Sequence, residues 1–447
     1  MNQLIPSQVL ASAILLSTLA GTAAGAADAP ASALVTEARP VAAFSNIELN
    51  GPYHVIVTAQ GERALQLSGQ RQQLAEVETV VQNDTLIVRP LHRRTFSFHI
   101  GKGPAHPVIR INAAGLKSLT AAGSGDVELE RYQGTALMLD ANGSGQLQAS
   151  GLAQDLRLHV RGSGDVDLRQ LKAATLNLQL DGSGDVRAAG VSQDLNAELN
   201  GSGDLDVSDV HAAKVSALMH GSGTVQLRGS SKELRADLSG SGDLEACGLA
   251  VESVSASLHS SGDACVAGTI KKFDAEVHGS GELSASGLQT QTARVFLTGS
   301  GDVTLSGNSG TLNAEVTGSG DLNAKQLWVG RAVTRSKGPG NIILSKVSDA
   351  LDAEVHGSGD LDASTDCKDV KLSMSGPGQV RLEGKTATLH AQLSGSGNLD
   401  AHQLLAGQAD VVVQGPGNAV VKLPDAKPAA GDRTHLVTID RGGSHDN

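Results

Sequence analysis

Apolar and polar residues alternate along most of this chain, in short runs that a glycine-rich turn interrupts every 19 or 20 residues. Residues 182–200, GSGDVRAAGVSQDLNAELN, show the pattern. Val186 and Ala188 point one way in a first run, Leu195, Ala197 and Leu199 do so in a second, and the residues between them are mostly polar. A period of two predicts strands with one wet face. The turns begin at 123, 143, 162, 182, 201, 221, 240, 260, 279, 299, 318, 338, 357, 376, 395 and 415. Most read Gly-Ser-Gly-Asp, and only the turn at Ser260 lacks its first glycine. Glycine is expected there because it takes positive φ without penalty. A unit this short cannot bury its own apolar face, so the repeat predicts a stack of coils, with little helix.

The spacing alternates, and so does the content. Units opening at 143, 182, 221, 260, 299 and 376 carry glycine at their ninth position: Gly151, Gly190, Gly229, Gly268, Gly307 and Gly384. The unit opening at 338 has Lys346 there instead. The other kind of unit usually has an apolar residue at position ten, such as Leu171, Val210 or Leu249. If like stacks on like, the physical coil holds about 39 residues and two glycine turns, and this is the expectation. At roughly 4.8 Å per rung, seven or eight such coils rise about 35 Å, whereas sixteen short coils would rise about 77 Å. The fold class expected is all-β, a right-handed parallel β-helix (β-solenoid) with an irregular N-terminal β cap. With only 2% aromatics, the interior should be thin and filled by Leu, Val and Ala.

The ends differ from the ladder. Residues 1–26 read as a secretory signal, with an apolar run at 9–20 and the small residues Ala24, Gly25 and Ala26 at a cleavage site, although no Lys or Arg precedes the run. Residues 27–40 read as a linker and 41–122 as the N-terminal β cap, with strands at 44–49, 53–58, 64–68, 85–89 and 108–112. Such a cap shields the open edge of the first coil. The repeat solenoid takes 123–423, and 424–447 is a polar tail in which 434–440 forms one last strand. The apolar run is too short to span a membrane comfortably, no transmembrane segment is expected in the mature chain, and there is no terminal β-barrel pattern. The chain is therefore expected to be exported, as a periplasmic, cell-surface or extracellular protein.

A net charge of −12 argues against a nucleic-acid partner. The three cysteines, Cys247, Cys265 and Cys367, make neither a disulfide framework nor a zinc motif. Cys265 should point outward and Cys247 should lie near a corner, so the two are expected to stay unpaired. A basic loop, Arg89, His92, Arg93 and Arg94, is expected to be solvated rather than to dock an anionic surface.

The stretch from 44 to 57, of the form F-x-x-I-x-L-x-G-P-Y-x-V-x-V, followed by serial Gly-Ser-Gly-Asp turns, resembles the auto-transporter adhesin head family of bacteria, the GIN domain. The resemblance covers roughly 41–423. It implies a right-handed parallel β-helix of an exported protein and brings no catalytic residues. This chain has more repeats than the usual head and lacks a translocator barrel.

Four features compete as sites. In a 39-residue coil Asp126, Asp165, Asp204 and Asp243 would form a ladder, one rung apart, and calcium between rungs would relieve their repulsion. The default is solvated turn aspartates that satisfy backbone donors, with no cofactor. His220 and His259, also 39 apart, would be stacked neighbours, with His278 and His356 on the other kind of unit; a transition metal would need a third ligand that is not evident. Trp328, the only tryptophan, is expected to be partly buried beside Leu327. Pectin-degrading enzymes share this architecture, so a polysaccharide-acting enzyme is the alternative function, but no cluster of acids and bases breaks the rungs within 123–417. The function expected is therefore non-catalytic: adhesin-like binding of an unidentified surface, glycan or protein ligand, or an envelope-structural role.

Overall fold

The computed structural model describes residues 34–92, 106–424, 434–440 and 443–446. Residues 1–26 and 27–33 of the segment read as linker lie outside these, as do Arg93 and Arg94. The fold is a β-solenoid of stacked parallel coils. Each coil is one strand of about 15 residues that starts just after a glycine turn and ends just before the next, as in Val127–Ala141, Leu147–Val160 and Val166–Leu180.

The register corrects the coil length. Leu147 pairs with Val127 on one side and with Val166 on the other, so each coil rests on the one 19 or 20 residues away. The same step holds to the last full coil, Asn398–Val413. Sixteen short turns at roughly 4.8 Å per rung give the taller stack, about 77 Å.

The 39-residue rhythm has a different cause, which lies at one corner of the coil. In the 19-residue coils the ninth-position glycine turns this corner with a left-handed backbone, as at Gly151 (φ 132°) and Gly229 (φ 135°). The 20-residue coils turn it with one extra residue. Leu129 and Tyr132 in one coil face Ala149 and Gly151 in the next, and Val207 and Val210 face Leu227 and Gly229. The inserted Arg131 and Asp209 themselves take positive φ. A Cβ on Gly151 would lie 2.1 Å from the carbonyl oxygen of Tyr132, so glycine corners fit against bulged ones. Two corner solutions alternate, and unlike stacks on unlike.

The Gly-Ser-Gly turns need glycine for a reason other than positive φ. Their backbones lie directly upon one another: a Cβ on Gly240 would sit 1.9 Å from the oxygen of Gly221, and one on Gly143 would sit 1.8 Å from that of Gly123. Ser163 N–H donates to the oxygen of Gly143 at 3.2 Å, and the same bond recurs along the stack. Only a residue without a side chain admits this approach.

Inward residues form one continuous core of Leu, Val and Ala, with Phe44 and Phe273 also fully buried. The cap strands predicted at the N-terminus are all present. Asn46–Leu49 and His54–Thr58 form the first coil, pairing in parallel with Ser118–Ala121 and with the start of Val127–Ala141. The Gly51 turn is the bottom rung, since a Cβ on Gly123 would lie 2.0 Å from the Gly51 oxygen. Beyond it the sheet turns antiparallel: Ala64–Gln70 pairs with Val108–Asn112, and Val77–Gln82 with Thr85–Pro90. Leu34–Arg39, within the segment read as linker, is a strand on Ala64–Gln70. At the other end Thr434–Asp440 pairs antiparallel with Ala419–Pro424, and Gly443–Asp446 pairs back on it. Among the described residues no helix is long and apolar enough to cross a membrane.

Candidate functional site

The short coil rearranges every ladder read from the sequence. Asp126 and Asp165 are not neighbours, because Gln146 lies between them; Asp165 and Asp204 are separated by Asp185, and Asp204 and Asp243 by Thr224. The hydrogen bonds of the aspartates define their role. Asp165 Oδ1 accepts the backbone N–H of Asp185 at 3.0 Å, Asp185 Oδ1 that of Asp204 at 3.2 Å, and Asp204 Oδ1 that of Thr224 at 2.8 Å. The bond continues from Asp243 to Asp263 and from Asp263 to Glu282. Each carboxylate thus receives a donor that sits on the turn of the next coil. Asn341 and Asn398 make the same bond with an amide oxygen, to Asp360 and Asn418, which explains why carboxylates are lost near the C-terminal end. Asp185→Asn should therefore leave the thermal midpoint within about a degree, while Asp185→Ala, which orphans the Asp204 amide, should cost about 1 kcal/mol. A calcium-dependent rise in melting temperature, lost in the Asn variant, would overturn this reading.

The histidines fall differently from the expectation. Ser239 separates His220 from His259, and His220 Nδ1 bonds the Ser239 hydroxyl at 2.5 Å. The true neighbours are His259 and His278, whose rings stack at 4.7 Å, with Phe296 edge-on to His278. His278 and His356 each bond a hydroxyl of the next coil, Thr298 and Ser375. Among the described residues no three His, Cys, Asp or Glu side chains are placed to hold a metal ion.

Cys247 and Cys265 are bonded, contrary to the expectation, with Cα atoms 5.3 Å apart. Cys265 lies opposite Glu245, and the strand holding Cys247 bulges where the register shifts between Ala246 and Ala250. Both cysteines stand on outward positions of their strands, as alternation gives, and the register shift brings Cys247 within reach of Cys265 in the next coil. Cys367 is free and buried, and burial raises its thiol pKa. In the basic loop, Arg89 is held by Glu78 at 2.7 Å and His92 is exposed.

Trp328 departs most from expectation. It is 58% exposed, while its neighbour Leu327 is fully buried. It stands in a column of outward corner residues in which Gln289 faces Asn308, Asn308 faces Trp328 and Trp328 faces Lys346. Lys346 Nζ lies 3.9 Å from the centre of the Trp328 ring. A cation held over an indole face is attracted by the ring's quadrupole. Asp366 in the next coil and Lys385 in the one after it, opposite one another, continue the wall. Together these residues line a surface groove of about 950 Å³.

The groove opens where the corner rule fails. The coil beginning at Gly338 has Lys346 where its short relatives have glycine, and the next has Thr365. The spacing there runs 19, 19, 19 from 338 to 395 instead of alternating. Neighbouring strands accordingly slip twice, on either side of the Trp328–Lys346 and Val329–Val347 pairs. The expectation of unbroken rungs within 123–417 is corrected at this point. The lost glycine and the broken spacing are visible in the sequence; that they meet the only tryptophan is not, because a 39-residue coil places Trp328 and Lys346 about half a turn apart, on different sides of the coil.

A smaller recess near the N-terminal end is lined by Glu128, Glu130 and Asp167. Arg169 grips Asp167 at 2.6 Å and holds its carboxyl below the usual range, so this group is poorly suited to act as a general acid.

No curated protein matches the sequence. Among solved structures, an adhesin-like protein of Bacteroides fragilis is 18% identical and covers 66% of this chain and 98% of its own, with a TM-score of 0.29. One of Parabacteroides distasonis is 16% identical and covers 65% of this chain and 97% of its own, with a TM-score of 0.31. A protein of the same organism, named for lipid binding, is 17% identical and covers 78% of this chain and 97% of its own, with a TM-score of 0.22. At these scores the likeness says nothing of ligand or partner. The family model described as "Putative auto-transporter adhesin, head GIN domain" matches residues 43–209, 189–287, 267–365 and 347–425. Since these matches together run from 43 to 425, the chain belongs to that family.

Proposed function

We propose that this protein is exported and serves as a non-catalytic, adhesin-like binder whose contact surface is the corner column around Trp328. The observation that carries the reading is the exposed Trp328 with Lys346 above it, in a groove formed where the repeat departs from its own rule. Large exposed aromatics set in a rigid frame are typical of binding anchors. The groove holds one carboxylate, Asp366, where glycoside hydrolysis ordinarily needs two, which supports binding over cleavage. Export is supported by the leader-like residues 1–26 and by a disulfide at an exposed corner, a bond that persists in oxidising compartments.

Beads coated with residues 27–447 should adhere to a cell or matrix surface that uncoated beads leave, and Trp328→Ala should reduce retention at least tenfold without changing the melting curve. Equal retention by the variant would contradict the placement of the contact surface. Protein recovered from an expressing bacterium should begin at Ala27; a chain still carrying Met1 in the cytoplasm would contradict export.

A further inference from the structure

The surroundings of Trp328 say more about the ligand than the fold does. The chain carries a net charge of −12, yet residues 322–348 contain five basic residues and no acidic one. Two of the five, Arg335 and Lys337, are paired with Glu354 and Glu315 of neighbouring coils. Lys346 is not: among the described residues its partner is the indole ring. Lys385, on the far wall of the groove, makes no ion pair among the described residues either, although Asp366 lies opposite it in the register. The rest of the wall is largely amide and hydroxyl, with Gln289 and Asn308 in line with the tryptophan.

We infer that the groove binds an acidic oligosaccharide, with one sugar ring laid on the indole of Trp328 and its carboxylate directed at Lys346 and Lys385. The inference rests on the binding function proposed above. Each part follows from the chemistry of the wall. An indole offers a flat apolar face, which suits the C–H face of a pyranose. Side-chain amides and hydroxyls both donate and accept, as a row of sugar hydroxyls requires. Unpaired ammonium groups favour an anionic ligand, and the cation–π contact fixes one of them beside the stacking face. The volume of about 950 Å³ is near the top of the range for small-molecule sites, roughly 300–1,000 Å³, and has room for more than one ring. An acyl chain would require apolar walls, and here Trp328 is the only large apolar side chain exposed in the groove.

The test uses the chain's own reporter. Trp328 is the only tryptophan, so indole emission reports this groove alone. Titrating residues 27–447 with hexagalacturonate should give a saturable change in emission. The neutral cellohexaose should bind at least tenfold more weakly, and Lys346→Gln should remove most of that difference. Calorimetry on Trp328→Ala should show at least a tenfold loss of affinity for hexagalacturonate. No change in emission with hexagalacturonate would overturn the inference. So would an equal response to polyglutamate, which would point to an acidic peptide as ligand. If Trp328→Ala abolishes bead adherence while hexagalacturonate leaves the emission unchanged, this inference fails and the binding function stands. If the variant adheres normally, the placement of the binding surface fails with it.

Discussion

Gly240→Ala should destabilise the central coils by about 3 kcal/mol or more, a large effect for one methyl group. The added Cβ would sit 1.9 Å from the oxygen of Gly221, and backbone cannot yield as a flexible side chain does. Two hydrogen bonds fix the spacing to the preceding coil: Gly240 N–H donates to the Met219 carbonyl at 3.3 Å, and Ser241 N–H to that of Gly221 at 3.0 Å. Moving the turn therefore breaks the ladder as well as the packing. Ser241→Ala, on the same turn with its side chain in water, should cost less than about 0.5 kcal/mol. Because a solenoid's stability is a sum of coil and neighbour terms, the loss should appear as faster amide exchange in the coils flanking 240 before it appears at the ends. If Gly240→Ala melts like the parent, the direct stacking of turn upon turn is wrong.

The second large effect concerns the pair Cys247 and Cys265. The two are 18 residues apart in sequence, and a closed loop of that size is worth about 3 kcal/mol in the chain-entropy picture. Cys247→Ser with Cys265→Ser should lower stability by about that amount, concentrated in the coils between 240 and 279. Thiol counting gives an independent check. The native, non-reduced protein should show no reactive thiol, since Cys367 is buried and burial raises its pKa. Denaturation alone should expose one thiol, and denaturation with reductant three. Three reactive thiols without reductant would contradict the pairing.

How much of this is legible in the sequence can be judged residue by residue. The period-two pattern places the strands and the core, including Val186, Ala188 and Leu195, because alternation and burial are the same fact in a sheet. The five expected cap strands are equally plain, each being a compact alternating run between turn residues, whereas Leu34–Arg39, Val77–Gln82 and Ser118–Ala121 are not among them. The coil length misleads for a physical reason. Gly151 and its relatives mark every second coil, so identity as the criterion for stacking doubles the coil; in the fold, a corner that borrows an extra residue fits against one that uses glycine, and neighbours differ. That single difference displaces the aspartate ladder, separates His220 from His259 where neighbours were expected, and hides the meeting of Trp328 with Lys346. The disulfide escapes the sequence because it depends on the short-coil register and on its shift after Ala246, which set Cys247 beside Cys265, and neither can be read from alternation. The signals for the groove, Lys346 in place of glycine and three equal spacings in a row, are present but acquire meaning only with the register.

That register underlies the ladder, the groove and the proposed ligand, and one cross-link tests it. Ser280 and Ser300 occupy equivalent turn positions in successive coils, with hydroxyl oxygens 3.1 Å apart. With Cys367→Ser as background, Ser280→Cys combined with Ser300→Cys should oxidise to an intramolecular disulfide, seen as a linked peptide pair by mass spectrometry. Ser280→Cys combined with Ser319→Cys, two coils apart, should remain reduced. Linkage of the 280–319 pair with a free 280–300 pair would restore the 39-residue coil and contradict the short-coil register.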